Sequence, residues 1–261
     1  MPAVALDVPT VLITGAARRL GRAIALACAR AGWRVAVHAR TDDEDARQTV
    51  ADCTRHTPGS ALFTTDLADE AQVRALAPAV AARMGRLDAV VNNAALFVFD
   101  NAASFTSANL ARHMAVNAAA PVLLAQALAD HLAQRGAGPA SGCVVNLLDQ
   151  KLWNPNPDFL SYTLSKAALQ AATTTLAQAL APRVRVAGVA PGLTLPSSYM
   201  DEARFAALHR MSPLEQAANA DEVAAGVVFL LDSRAITGST LLVDGGQHLM
   251  RLERDFSMMQ P

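Results

Sequence analysis

Short apolar runs recur along the chain: TVLITG (10–15), RVAVHA (34–39), SALFTTD (60–66), LDAVVNNA (87–94), GCVVNLL (142–148), VRVAGVAP (184–191) and STLLVDGG (239–246). Between them lie Ala-, Leu- and Arg-rich stretches with helical spacing, such as RLGRAIALACARAG ending at Gly32 and DEAQVRALAPAVAARMG ending at Gly85. Continuous apolar strands that alternate with helices predict a doubly wound α/β fold, a parallel sheet of about seven strands with helices on both faces. The longest apolar stretches, Ala115 to Leu132 and Ala167 to Ala181, are interrupted by polar residues and read as buried helices, not membrane spans. No repeat, low-complexity tract or linker divides the chain, so residues 1–261 are expected to form one domain. The irregular segment 193–216 is expected to form a loop or helical flap over a site. The tail after Gly246 is left with two readings, a subunit contact or a partly disordered end.

Composition narrows the function classes. The chain has 261 residues, 52% of them hydrophobic and 17% charged, with a formal net charge of −1. Nothing in that balance forms the basic surface a nucleic-acid backbone requires. The three cysteines, Cys28, Cys53 and Cys143, are odd in number and lie in apolar runs, which fits reduced thiols in a cytoplasmic protein. The start MPAVALDVPTVLITG has no basic region of the kind a secretory signal needs.

The first strand runs into TGAARRLGRAIA (14–25), a tight turn that opens a helix. Gly15 and Gly21 let backbone approach a pyrophosphate, and the helix N-terminus offers free N–H groups and positive potential. Arg19 stands where such loops usually carry their middle glycine, so the turn alone is also compatible with an ordinary strand-to-helix connection. The second strand ends in VHART (37–41) with no acidic residue, and Arg40, with Thr41, His38 or Arg18 beside it, favours NADP(H) over NAD. The alternative for Arg40 is a solvated strand-end arginine beside Asp42 and Asp43. Asp66 is placed to accept from an adenine amino group, and Asn92 and Asn93 end the fourth strand as ligand contacts or as turn formers.

Tyr162 and Lys166 are one helical turn apart and share a helix face. A neighbouring ammonium is expected to stabilise the phenolate and bring the tyrosine pKa toward neutrality, and Lys166 is also placed to hold a nicotinamide ribose. Lysine is scarce: Lys151 and Lys166 are the only two in the chain. Asn117 is polar in a very apolar helix, where it either bonds the core or retains a water linked to Lys166.

In this order, TGAARRLG, NNAA, VNAAAP, YTLSK, APG and VDGG resemble the short-chain dehydrogenase/reductase family over nearly the whole chain. The resemblance implies a single Rossmann domain, hydride transfer from a nicotinamide cofactor, and dimers or homotetramers built on the helices that hold Asn117 and Tyr162. It carries cofactor contacts to Gly15, Arg18, Arg19, Leu20, Gly21, His38, Arg40, Thr41, Asp66, Leu67, Asn93, Ala94, Ala95, Tyr162, Lys166, Pro191 and Gly192. The catalytic set it implies is Asp149, Tyr162, Lys166 and Asn117.

Asp149 occupies a position where the family normally has serine or threonine. With Arg19 it resembles the pteridine reductase and dihydromonapterin reductase branch, which reduces C=N bonds in pterins with NADPH. A carboxyl beside a phenol suits a reaction in which a ring nitrogen gains a proton as carbon gains hydride. The branch implies substrate contacts from Arg19, Phe97, Asp149, Phe159 and Tyr162, with Phe97 stacking on the pterin. Ala95, where the branch often has serine, and the polar loop QKLWNPNPDF depart from it. Trp153 and Tyr199 are candidate pocket walls. Carbonyl reduction, with Asp149 only orienting Tyr162, and a dinucleotide-binding regulator without turnover are the competing readings.

Overall fold

Strands covered on both faces need no polar alternation. Accordingly β1 (Thr10–Ile13), β2 (Arg34–Ala39), β4 (Ala89–Asn92) and β5 (Gly142–Leu147) are buried at every position. With β3 (Ala61–Thr64), β6 (Val184–Pro191) and β7 (Thr240–Val243) they form one seven-stranded sheet, ordered β3-β2-β1-β4-β5-β6-β7 and parallel throughout. These features come from a computed structural model, which describes residues 8–196, 202–216 and 218–259. Residues 1–7 of the stretch read for a signal, and Tyr199 with the neighbouring part of the expected flap, lie outside the described residues.

Helices α1 (Arg19–Arg30), α2 (Glu44–His56) and α8 (Ala220–Asp232) cover one face through a core that includes Ile24, Cys28, Cys53, Val223 and Val227. The other face is covered by α3 (Glu70–Met84), α5 (Ala120–Gln134) and α6 (Leu160–Ala179), with Val73, Val80, Leu124, Leu128 and Ala177 turned inward. Helix α4 (Ser107–Met114) runs through one π turn, Ala115–Ala119, directly into α5. Local chemistry sets the helix starts. Asp43, Asp69 and Thr106 accept from first-turn amides of α2, α3 and α4, and Asn219 with Glu222 forms a capping box on α8. Helix α3 ends where Gly85 turns left-handed at φ 82°. Helix α1 differs from these: no side chain caps its N-terminus and no acid sits in its first turn.

Strand order reverses between β1 and β4, and the crevice at their carboxyl ends is where ligands bind in this architecture. The opposite edge is closed by one carboxylate. Asp88, 6% exposed, accepts from the Thr10 backbone N–H at 2.9 Å, from both sides of the Arg86 guanidinium at 2.7 Å and from Arg135 at 3.1 Å. Burial alone raises its pKa, but the bonds from Arg86, Thr10 and Arg135 outweigh it and hold the carboxyl below its ordinary range.

Asp88 therefore ties the entry of β1 to β4 and to the end of α5. Asp88→Asn is expected to cost on the order of 3 kcal/mol in urea unfolding at neutral pH, because two guanidinium groups lose their counter-charge. Since the folded-state pKa is depressed, the wild-type advantage exists above the ordinary carboxylate range and fades as pH falls through the depressed value, so the two unfolding curves should converge in acid.

Candidate active site

The phosphate loop is built on close backbone contact. A Cβ on Gly21 would lie 2.1 Å from the Gly15 carbonyl oxygen, and one on Gly15, whose φ is +64°, would lie 3.0 Å from the Ala94 Cα. Asn93 staples the loop from the neighbouring strand end, its Nδ2 donating to the carbonyls of Thr14 (2.9 Å) and Gly15 (3.2 Å). Thr14 Oγ1 accepts in return from the amides of Asn93 and Ala94, each at 3.0 Å. Arg19 adopts φ 54°, a conformation that favours glycine, which accounts for glycine being the usual residue there. Its guanidinium crosses the crevice to the Pro196 carbonyl at 2.5 Å.

A cavity of about 320 Å³ beside the loop is lined by Gly15, Arg18, His38, Arg40, Thr41, Asp66, Leu67, Ala94 and Ala95, among others. Two of these residues also bond within the chain. His38 is one of them. Its Nδ1 accepts from the Gly15 amide at 3.1 Å while Nε2–H donates to the Thr65 carbonyl at 3.1 Å, and burial lowers its pKa, so the ring is neutral and serves as a loop support. Asp66 is the other, Oδ1 accepting from the Ala68 amide at 2.9 Å. Arg18 is shared with Asp43 (2.8 Å) and Asp45 (3.5 Å), whereas Arg40 is exposed and has no ion-pair partner among the described residues.

A second cavity, about 300 Å³, lies between the ends of β4, β5 and β6 and is lined by Arg19, Leu20, Asn93, Ala95, Phe97, Asp149, Tyr162, Lys166, Pro191 and Gly192. At its floor the Tyr162 hydroxyl donates to Asp149 Oδ2 at 2.9 Å, and Asp149 Oδ1 accepts from the Lys151 amide at 2.8 Å. Burial pushes the Asp149 carboxyl above the ordinary range, against the Lys151 amide bond and with help from the charge of Asp255. Burial, and then the charge of Asp149, push the Tyr162 phenol well above its ordinary value. The expectation that Lys166 lowers the phenol pKa is therefore corrected. Lys166 Nζ lies 5.8 Å from the Tyr162 ring centre and donates to the Leu147 carbonyl at 2.5 Å. Burial lowers the lysine itself to about 8, opposed by Asp149.

Asn117 lies in the π turn and bonds the core. Its Oδ1 accepts from the Leu96 amide at 2.7 Å, and its Nδ2 donates to the Leu96 carbonyl and to Ser165 Oγ, both at 2.9 Å. It thereby fixes the segment that presents Phe97. Phe97 stacks on Phe159 at 4.1 Å and meets Tyr162 edge-on at 4.7 Å. Phe159 is fully buried, so it supports Phe97 from behind and does not reach the cavity surface as expected. Trp153 is 37% exposed and lies outside the lining of that cavity.

The sequence reading missed the carboxyl-terminal contribution. Asp255, Phe256 and Ser257 line the second cavity of their own chain. The polar loop after β5 holds them there: Arg254 bonds Asp158 at 2.7 and 3.0 Å, Lys151 bonds Asp255 at 3.1 Å, and Asn154 Nδ2 donates to the carbonyls of Gln247 (2.8 Å) and Met250 (3.1 Å). Alternating charge in RLERDFS was the available signal, but it names no partner. Among the described residues, no group of three or more His, Cys, Asp or Glu is placed to hold a metal ion, and no helix is long and apolar enough to cross a membrane.

Residues 15–248 match the family model described as enoyl-(acyl carrier protein) reductase. The chain belongs to the short-chain dehydrogenase/reductase family. Among solved structures it is similar to FolM alternative dihydrofolate reductase 1 from Brucella canis complexed with NADP, at 37% identity and TM-score 0.84, over 95% of this chain and 96% of that one. Similar proteins include pteridine reductase 1 of Leishmania tarentolae, 32% identical over 93% of this chain and 97% of that one. Dihydromonapterin reductase of Klebsiella pneumoniae is 31% identical over 92% of this chain and 96% of that one.

The buried Lys166 ammonium carries a sign that can be measured. With a folded pKa of about 8 against an ordinary 10.5, it binds fewer protons folded than unfolded between those values, so the charge penalises folding below pH 8 and the penalty fades as pH rises toward 10.5. Lys166→Met is expected to unfold at a higher urea concentration than wild type at pH 7, by up to about 3 kcal/mol, and the gap should narrow above pH 8. A lysine variant less stable at every pH would show that the Leu147 bond outweighs the burial.

Proposed function

We propose that the protein is an NADPH-dependent reductase that transfers hydride to a dihydropterin or a similar C=N heterocycle. The observation that carries this reading is the hydrogen bond from Tyr162 to Asp149 at the floor of a cavity walled by Phe97. Reduction of a C=N bond requires a hydride at carbon and a proton at nitrogen. NADPH, when bound, supplies the hydride. Tyr162, whose pKa is raised, keeps its proton until a basic ring nitrogen reaches it, and Asp149, raised in turn, is able to hold a proton and return it to the phenol.

The remaining residues bind and orient. The uncapped N-terminus of α1 and the bare surfaces of Gly15 and Gly21 fit a pyrophosphate, and Arg40 with Thr41 fits a 2′-phosphate. Lys166 at the cavity floor suits a ribose hydroxyl, and Phe97 suits stacking of a flat ring. Arg19 stands between the two cavities' residues and suits both cofactor phosphate and substrate. The names of the relatives support the substrate class, and the Brucella structure, complexed with NADP, supports the cofactor.

The proposal extends to the whole molecule. The chain is read as acting as one domain, and Leu193, Thr194 and Leu195 at the start of the expected flap line the second cavity. Three free, buried cysteines suit a reducing cytoplasmic setting. Leu164 on α6, and Phe105 before α4, leave 44% and 40% of their surface exposed, which suits assembly into a homotetramer through these helices and is measurable by light scattering.

NADPH oxidation against quinonoid dihydrobiopterin, dihydromonapterin, dihydrofolate and a panel of ketones tests the reading. Turnover of the pterins is expected, and activity confined to ketones would overturn it. Tyr162→Phe should lower kcat by about 10²–10⁴-fold while NADPH affinity, followed by fluorescence, stays close to wild type. Near-normal rates would remove the tyrosine from the chemistry. Arg40→Asp should shift preference from NADPH toward NADH, and unchanged selectivity would mean that another group reads the 2′-phosphate.

A further inference from the structure

The chain keeps two lysines, and Lys151 is as buried as Lys166, each 2% exposed. An ammonium removed from water to that depth costs several kcal/mol unless it is well paired. Lys151 Nζ donates to the Asp158 carbonyl at 2.5 Å and to Asp255 Oδ2 at 3.1 Å, and lies 5.5 Å from the centre of the Phe159 ring. Its backbone N–H is the donor that fixes Asp149 Oδ1. One residue thus contacts the acid of the site, the aromatic ring beneath Phe97, and the carboxyl-terminal segment.

That segment is held by a second set of bonds. The Asp158 carboxylate accepts from the Arg254 guanidinium and, at 2.9 Å, from the Asp255 amide, while Arg204 of α7 (Glu202–His209) donates to the carbonyls of Ser257 and Met259. Leu252 and Phe256 pack against Leu208 of the same helix. So held, Asp255, Phe256 and Ser257 line the cavity that Phe97 and Tyr162 also line, and within this stretch Asp255 Oδ1 accepts from the Ser257 amide at 3.0 Å and from the Ser257 hydroxyl while Oδ2 accepts from Lys151.

We propose that Arg254–Ser257 is a substrate-selecting wall and that Lys151 is the positioning residue that clamps it and couples it to Asp149. Acceptor oxygens on this wall select a flat ring that carries N–H donors, such as the aminopyrimidinone edge of a dihydropterin, over a ketone that has none. The substrate named here rests on the function proposed above, whereas the clamp itself does not.

Three variants test it in the full-length enzyme. In Arg254→Met, whose side chain is 49% exposed in the wild type, KM for dihydropterin should rise about tenfold, with kcat within about threefold and NADPH affinity unchanged. Lys151→Met should raise KM and lower kcat together, because the loop that anchors Asp149 moves with it. Asp255→Asn should lessen the preference for dihydropterin over its analogue lacking the 2-amino group. Folded Arg254→Met and Asp255→Asn enzymes with wild-type KM and wild-type preference would overturn the proposal, and they decide it even if Lys151→Met does not fold. Should the wild type reduce ketones and no pterin, the functional reading fails, while the clamp is read from KM of the best ketone, with a rise supporting it and no change sinking it.

Discussion

A phenol and a carboxyl share one hydrogen bond in a place where neither is easily charged, and the site is organised around that constraint. In water the acid would ionise and the phenol would find other partners. At the ends of β5 and α6, burial raises both groups, so both favour their protonated forms away from solvent. The surrounding sheet makes this condition possible: β5 is buried at every position, α6 covers it, and the Leu147 carbonyl at the strand's end holds Lys166 below the pair. The lysine's contribution at this stage is positional, since burial also discourages its own charge.

Much of the fold was legible because parallel strands and their covering helices leave local marks. The apolar runs at 34–39 and 184–191 coincide with β2 and β6, and Gly85 marks the end of α3. Tyr162 and Lys166 were legible from their spacing of one helical turn, whereas Asp149 was named only through the family resemblance. What escaped depends on partners far away in the chain. His38 reads as a neighbour of a 2′-phosphate by its position beside Arg40, but its bonds to Gly15 and Thr65 are encoded by no local pattern. Lys151 and Asp255 are separated by 104 positions, so the reason for a buried second lysine emerges only when the tail returns to the site.

Two of the four non-glycine residues with left-handed φ among the described residues lie at the same place. Arg19 and Phe159 both adopt left-handed φ values, 54° and 53°, that cost a large side chain about 1 kcal/mol or more. Each is held there by what its side chain does: Arg19 reaches across to Pro196, and Phe159 stacks beneath Phe97 and under the Lys151 ammonium. A glycine would relieve the strain and lose the contact. The conformation at Phe159 also starts α6 three residues before Tyr162, so it contributes to where the phenol points.

The carboxyl at position 149, the polar loop that follows it and the folded-back tail form one physical unit. Asp149 has two oxygens, and both are engaged: Oδ1 caps the short 3₁₀ turn Gln150–Leu152 through the Lys151 amide, and Oδ2 receives the Tyr162 hydroxyl. A serine or threonine at this position has a single oxygen at shorter reach, and it would have to serve the turn or the phenol. Capping the turn determines where Lys151 begins, and Lys151 then fixes Asp158 and Asp255 through its ammonium. Asp149 thus reaches the phenol with one oxygen and, through the turn it starts with the other, sets the position of Lys151 and of the Asp255 carboxylate that Lys151 bonds.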